Sequence, residues 1–353
     1  MVTIYHPVMV NTPDADVLHV LRERYGDALD AEIEGWIGAL GYPRHFPGML
    51  RYQLGYVDER LQPASHPGKR VRPFLCLTVT EALRGSFQQA LPAAAAIELL
   101  HNFSLIHDDI EDHDPSRHHR ETVWRVWGEP HAINAGDAMF AVAGRAAAGM
   151  ANAEVGYPVV QQFQDTALAL TKGQYLDMSF EDREAVTADE YLEMISLKSA
   201  ALIGFSAWAG AMAGGGIDRQ QAALLGFGLD LGRAFQIHDD INGIWGDPGR
   251  TGKLAHTDLV NRKKTLPILS ALERAQGSDL DALKLFFRRE NHEIDLVLQV
   301  LEQCGARGAA ERELDRYLTS ALTSLRSAEL PPNFEGLLTG LARQFTGQPA
   351  ATS

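Results

Sequence analysis

Three aspartates in the segment LIHDDIED raise the first chemical question. Asp108 and Asp112 stand four residues apart at the end of an apolar stretch, so on a helix their carboxylates share one face, about 5–6 Å apart at Cβ. A hard divalent cation can bridge that span. Acids are otherwise poorly placed there, because the C-terminal end of a helix is negative and repels each of them by about 0.3–1 kcal/mol. Something cationic is expected to offset this. Magnesium suits the pattern, since it keeps several waters and takes one or two carboxylates together with phosphate oxygens. For a single such segment, a solvated acidic helix end is the competing reading. A second segment, FQIHDDINGIWGD, repeats the apolar-then-HDD pattern at Asp239 and Asp240. Its fourth position is Gly243, with Asp247 as a replacement acid if the chain turns back at Gly246. Asp109 and Asp240 complete the two acid pairs and are counted with Asp108, Asp112, Asp239 and the basic Lys198 as catalytic candidates.

A metal-bound diphosphate retains negative charge that arginine or lysine must hold. PGKRVRP puts Lys69, Arg70 and Arg72 at a helix start, where free backbone N–H groups also favour an anion. Arg117 and Arg120 follow the first aspartates, Lys198 lies in SLKSAA, and GRTGK with NRKKTLP supplies Lys253, Lys263 and Lys264. Singly, each reads as a surface charge. As a set flanking both acidic segments they read as a diphosphate site. GDPGRTGKL is not a nucleotide loop: its glycines are one residue too far apart, and Leu254 stands where Ser or Thr would ligate magnesium. The pairs His107–Asp108 and His238–Asp239 lack the further histidines of a metal phosphohydrolase.

Helices must position these groups. Alanine and leucine recur at three- and four-residue spacing, and alternating β-branched runs are nearly lacking, so the pattern predicts an all-α protein without a sheet. Helices are expected over about 14–40, 47–61, 70–84, 89–111, 131–150, 155–178, 187–214, 218–242, 262–275, 279–289, 292–304, 307–326 and 332–345. No linker divides the series, so residues 1–345 read as one domain and 346–353 as a frayed tail. The 353 residues suffice for a large core, and a net charge of −14 disfavours nucleic acid and anionic membranes as partners. Two separated cysteines, Cys76 and Cys304, suggest neither a disulfide framework nor a zinc site and fit a cytoplasmic setting. The N-terminus lacks a signal-peptide pattern, and LIGFSAWAGAMAGGG is short of a membrane span.

The ordered segments GKRVRP, ELLHNFSLIHDDIED, AINAGDAM, KGQYLD, LKSAAL, FQIHDDI and GK…DLVNRKKTLP resemble the trans-isoprenyl diphosphate synthase family, the polyprenyl synthetases, over roughly residues 65–270. The resemblance implies a helical bundle around a central cavity, usually homodimeric. It implies that Asp108 and Asp112 bind Mg²⁺ with an allylic diphosphate and that Asp239 joins a further Mg²⁺. Arg117, Lys198, Gln236, Lys253 and Lys263 match positions around that diphosphate. Lys69, Arg72 and His101 match the site for isopentenyl diphosphate. The implied reaction is prenyl transfer between the two diphosphates.

Two departures from the family pattern stand out. His118 replaces the second of two adjacent arginines, and His118 is counted among the substrate-binding candidates although a neutral imidazole lacks a guanidinium's fork. The second motif reads DDING where the family has DDxxD. These leave a class I terpene cyclase, or a weakly active regulatory subunit of a synthase pair, as alternatives. Phe103, five residues before Asp108, matches a position where an aromatic residue stops chain growth. With small Ser104 beside it and no insertion in the motif, this resembles synthases that release the C20 geranylgeranyl product, with C15 farnesyl next.

Overall fold

A computed structural model describes residues 16–64, 66, 68–84, 86–117, 119–246 and 256–348. The candidates His118 and Lys253, as well as Asp247 and most of the 346–353 tail, lie outside the described residues. The chain is built from helices, beginning with α1 (Val17–Gly38), α2 (His45–Gln53), α3 (Val71–Arg84) and α4 (Leu91–Glu111). A short α5 (Val123–Trp127) leads into α6 (Glu129–Ala147) and the long α7 (Ala153–Asp182). Then come α8 (Ala188–Ile195), a π turn (Ser196–Ala200), α9 (Ala201–Gly214) and α10 (Asp218–Trp245). The series ends with α11 (Thr257–Val260), α12 (Leu266–Arg274), α13 (Gly277–Phe287), α14 (Ile294–Gln303), α15 (Ala306–Ser327) and α16 (Pro332–Phe345).

Periodicity explains the outer helices. On α1 the fully buried residues Leu21, Tyr25, Leu29, Ile33 and Ile37 recur every fourth position, a single stripe that faces the core while the rest of the helix meets water. Asp16 caps that helix, its side chain accepting from the N–H groups of Leu18 and His19. The inner helices are apolar on nearly every side. Eleven of the fourteen residues of α3 are buried, and α9 is as enclosed, so these two form a central layer packed on each other, with α4 and α10 alongside. The stretch Ala188–Gly214 is long and apolar enough to cross a membrane, but 72% of its most apolar window is buried by neighbouring helices. It is a core helix of this fold.

The expectation of no sheet needs one correction. Ser116–Arg117 and Arg120–Glu121 pair antiparallel as a two-residue hairpin after α4. Periodicity cannot reveal so short a ladder. The predicted helix from residue 262 begins at Leu266 instead, leaving Asn261–Thr265 as a connecting loop. A smaller apolar cluster, centred on Ile268, Leu283, Phe286, Val297 and Leu301, packs α12, α13 and α14 together beyond the main core.

Candidate active site

The first aspartates end α4, and the hairpin that follows folds back upon them. Arg117 donates from Nε to Asp109 Oδ1 at 2.6 Å and from Nη2 to Asp108 Oδ2 at 3.0 Å. Lys198 reaches the same carboxylate from across the bundle, with Nζ 3.2 Å from Asp108 Oδ1 and 2.5 Å from Asp177 Oδ2. Lys263 stands 3.5 Å from Asp112 Oδ2. The cations that an acidic helix end demands are thus supplied by three separate parts of the chain.

A local irregularity places Lys198. The π turn at Ser196–Ala200 widens the helix by one residue between α8 and α9, and such turns occur often at functional sites. Two glycines let this turn sit close to its neighbours. A Cβ at Gly173 of α7 would lie 2.2 Å from the Lys198 amide nitrogen, and one at Gly232 of α10 would lie 2.4 Å from Ala200 Cα. Any larger residue there would push the turn away, and Lys198 would lose its reach to Asp177 and Asp108.

The charges respond in distinct ways. Burial works against ionisation of Asp108, but Lys198, Arg117 and Lys263 outweigh it and hold that carboxyl below its usual range. At Asp109, burial wins over Arg117 and pushes the carboxyl up to about 6. Asp112 is also raised by burial, which Lys263 only partly offsets. Lys263 itself is desolvated, yet Asp177, Asp112, Asp108 and Asp258 together raise its pKa. Lys263 therefore faces the first acidic segment together with Asp177 and Asp258. Its neighbour Lys264 is elsewhere: buried, it donates to the carbonyls of Phe180 and Glu181 at 2.5 and 3.1 Å, near the C-terminus of α7.

The second segment is held differently. Asp240 is buried and takes hydrogen bonds from the Tyr191 hydroxyl on Oδ2 and from Gln236 Nε2 on Oδ1, the latter at 2.9 Å. Gln236 is in turn fixed by the Ser199 hydroxyl at 2.6 Å. Desolvation first, and then the charge of Asp258, raises the Asp240 carboxyl.

GKRVRP divides into two roles. Arg72 donates from Nη1 to His101 Nε2 at 3.3 Å, and its buried Nε has no hydrogen-bond partner among the described residues. Burial pushes the Arg72 guanidinium down to about 10. Lys69 is exposed and close enough to His238 to lower that imidazole, after burial, the larger cause. Arg70 departs from the expectation. Its backbone is left-handed at φ 54°, and its side chain turns inward to Glu98 at 2.6 Å and to the Leu54 carbonyl at 3.2 Å. It is a strut that aims its two neighbours. Arg120 likewise leaves the site, donating to the Val57 carbonyl at 3.0 Å and lying over the Tyr52 ring.

Below the first aspartates, Phe103 meets the ring of His107 edge-on at 4.8 Å and that of Phe140 at 5.1 Å. Phe140 continues to Phe163 at 6.2 Å. Ser104 returns its hydroxyl to the His101 carbonyl at 2.8 Å. Sequence reasoning overlooked Asp177, Tyr191 and Asp258. Asp177 had a signal, since it lies one helical turn after Gly173 in the KGQYLD segment that carries the family resemblance. Asp258 had one too, as the first residue of the DLVNRKKTLP segment, whereas Tyr191 had none of comparable strength.

The polyprenyl synthetase family model matches residues 57–304. A (2E,6E)-farnesyl diphosphate synthase of Mycobacterium bovis is 35% identical over 314 residues, covering 87% of each chain. A geranylgeranyl diphosphate synthase of Mycobacterium tuberculosis is 36% identical over 293 residues, 82% of this chain and 84% of that one. The crystal structure of geranylgeranyl pyrophosphate synthetase from Pyrococcus horikoshii superposes with a TM-score of 0.85 at 33% identity, over 94% of this chain and 98% of the other. The chain belongs to the polyprenyl synthetase family, has its all-α isoprenoid synthase fold, and is a prenyltransferase of the short-chain trans-prenyl diphosphate synthase type.

Proposed function

We propose that this chain condenses isopentenyl diphosphate with an allylic prenyl diphosphate in a Mg²⁺-dependent reaction, releasing chiefly the C20 geranylgeranyl product, with C15 farnesyl as the nearest alternative. The observation that carries this reading is the clamp on the first segment. Asp108 and Asp112 each rest on a lysine ammonium, and an ammonium can transfer to a diphosphate oxygen and leave its carboxylate to a divalent ion. The donors are hard oxygens, which suits magnesium. Asp108, Asp112 and Asp239 would hold the metal. When bound, it stabilises charge on the departing diphosphate.

Arg117, Lys198 and Lys263 hold the allylic diphosphate and stabilise the same charge as the carbon–oxygen bond breaks. Lys69, Arg72 and His101 hold isopentenyl diphosphate, and the Nε of Arg72, without a partner among the described residues, supports an anion there. The isopentenyl double bond then attacks the allylic cation, and loss of a proton to the released diphosphate completes the new chain. Phe103, backed by Phe140, limits its length. This set of three for a second diphosphate favours condensation over cyclisation, which uses one diphosphate only.

A homodimer belongs to the proposal. Tyr157, Leu168, Tyr175 and Met178 are exposed on α7 at spacings that return to one helix face, with exposed Ile133 on α6. Residues 1–345 act as one unit in a cytoplasmic setting. The test is to supply purified protein with Mg²⁺, isopentenyl diphosphate and C5, C10 or C15 allylic diphosphates, and to size the products. Elongation to C20 is expected, abolished by chelator. A cyclic hydrocarbon formed from an allylic substrate alone would select the cyclase instead.

A further inference from the structure

Asn261–Thr265, the loop between α11 and α12, carries three consecutive cations whose side chains part to three separate sets of partners. Arg262 has a left-handed backbone at φ 53°, uncommon for a residue with a side chain. Its guanidinium lies over the Phe286 ring at 4.4 Å and donates from Nη2 to the Asn291 carbonyl at 3.1 Å and to His292 Nδ1 at 2.7 Å. Lys263 turns instead to Asp112 Oδ2, 3.5 Å away. Lys264 enters the protein and is only 9% exposed.

The partner of Lys264 is the end of α7. That helix finishes in a turn, residues 179–182, that holds acids and no basic residue, so its negative end has no cation of its own. Lys264 supplies one. Its Nζ donates to the carbonyls of Phe180 and Glu181 at 2.5 and 3.1 Å, two acceptors that no further helical turn can satisfy. A buried ammonium is costly unless it is paired, so these contacts fix the side chain. One and two turns earlier, α7 carries Asp177, which holds Lys198, and Gln174, whose Nε2 donates to Glu111 Oε2 at 2.8 Å. Lys264 thus ties the loop that bears Lys263 to the helix that bears Asp177, and both of those charges act on Asp112.

We propose that Lys264 is a positioning residue for the allylic diphosphate: by anchoring the loop to the end of α7, with Arg262 as the second anchor, it aims Lys263 at Asp112 and at the substrate oxygens beside it. This rests on the reading of Lys263 as a diphosphate-holding residue given above. It divides two adjacent lysines by role, one that touches substrate and one that acts only through the other. The competing role for Lys264 is that of a helix cap alone, which bears on folding and not on substrate.

The experiment measures KM for a C10 allylic diphosphate and for isopentenyl diphosphate in full-length protein carrying Lys263→Met, Lys264→Met or both, at saturating Mg²⁺ and below the Tm of every variant. Lys264→Met is expected to raise the allylic KM about tenfold and to leave the isopentenyl KM unchanged. Because it acts through Lys263, adding Lys264→Met to Lys263→Met is expected to raise the allylic KM less than about twofold further. A wild-type allylic KM in Lys264→Met, with only Tm lowered, overturns the proposal and leaves a helix cap. A rise of both KM values by the same factor overturns it too, as does an equal rise of the allylic KM in the two backgrounds, since Lys264 then acts without Lys263. If Lys263→Met itself keeps the wild-type allylic KM, the diphosphate reading of Lys263 fails and this inference with it. If only Lys264→Met keeps it, this inference alone fails. Should Lys264→Met not fold, Lys264→Gln, which keeps an N–H donor in the same space, is held to the same criteria.

Discussion

HDDIED and HDDING look like two copies of one device, yet their surroundings are of opposite kinds. The first is held by cations: Arg117 and Lys198 lie on Asp108, and Lys263 lies on Asp112. In the second, Asp240 is held by a phenol and an amide, with a further acid, Asp258, close by. A buried carboxylate beside a lysine is already neutralised in its charged form, whereas one beside neutral donors and another acid favours taking up a proton or a cation. Like motifs thus sit in unlike electrostatic surroundings, Asp108 and Asp112 on cations and Asp240 on neutral donors.

The strongest way to break this comparison is to neutralise the first segment. Asp108→Asn and Asp112→Asn should each lower kcat about 10³-fold or more in an isopentenyl diphosphate incorporation assay, the scale of losing one centre that stabilises charge in the transition state. Their melting temperatures should diverge. The folded protein favours the charged form of Asp108, so neutralising it strands Lys198 and Arg117 and lowers Tm. It disfavours the charged form of Asp112, so that substitution should leave Tm unchanged or raise it. Equal behaviour of the two variants would mean that the lysines do not distinguish them.

Gly173→Ala sharpens the same contrast through the backbone. The added methyl meets Lys198 at its amide nitrogen and Cα, which should destabilise the fold by about 1–3 kcal/mol, as overpacking usually does. Turnover should fall further than Tm alone explains, because Lys198 is displaced. Phe103→Ala should lengthen the main product by at least one isoprene unit, read by chromatography of the dephosphorylated alcohols. An unchanged product spectrum at full activity would move the stop to Phe140 or beyond. The smallest effect belongs to His118→Arg, which should lower KM for isopentenyl diphosphate a few-fold by restoring a guanidinium fork. A raised KM would give His118 a role of its own.

Much of this was legible before the fold was known, and the boundary is physical. The helices on which Asp108, Lys198 and Asp239 stand follow from apolar spacing, a local property. The pairing of Asp108 with Lys198 spans 90 residues and leaves no local trace beyond the residue types. The same limit misassigned Arg70 and Arg120. Both sit in basic segments suited to an anion, but Arg70 is turned inward by a left-handed backbone and Arg120 by the hairpin, and neither turn has a periodic signature. Asp258 stood in view in the DLVNRKKTLP segment, but only the packing of α11 on α10 reveals that it lies over Gly243.

The most direct test of condensation at a clamped metal site is the stoichiometry of diphosphate release. Wild-type protein is given an allylic diphosphate with Mg²⁺, with and without labelled isopentenyl diphosphate, and both released diphosphate and incorporated label are counted. One diphosphate is expected to be released per isopentenyl unit incorporated, and essentially none when isopentenyl diphosphate or Mg²⁺ is withheld. Release at the same rate from the allylic substrate alone would contradict it.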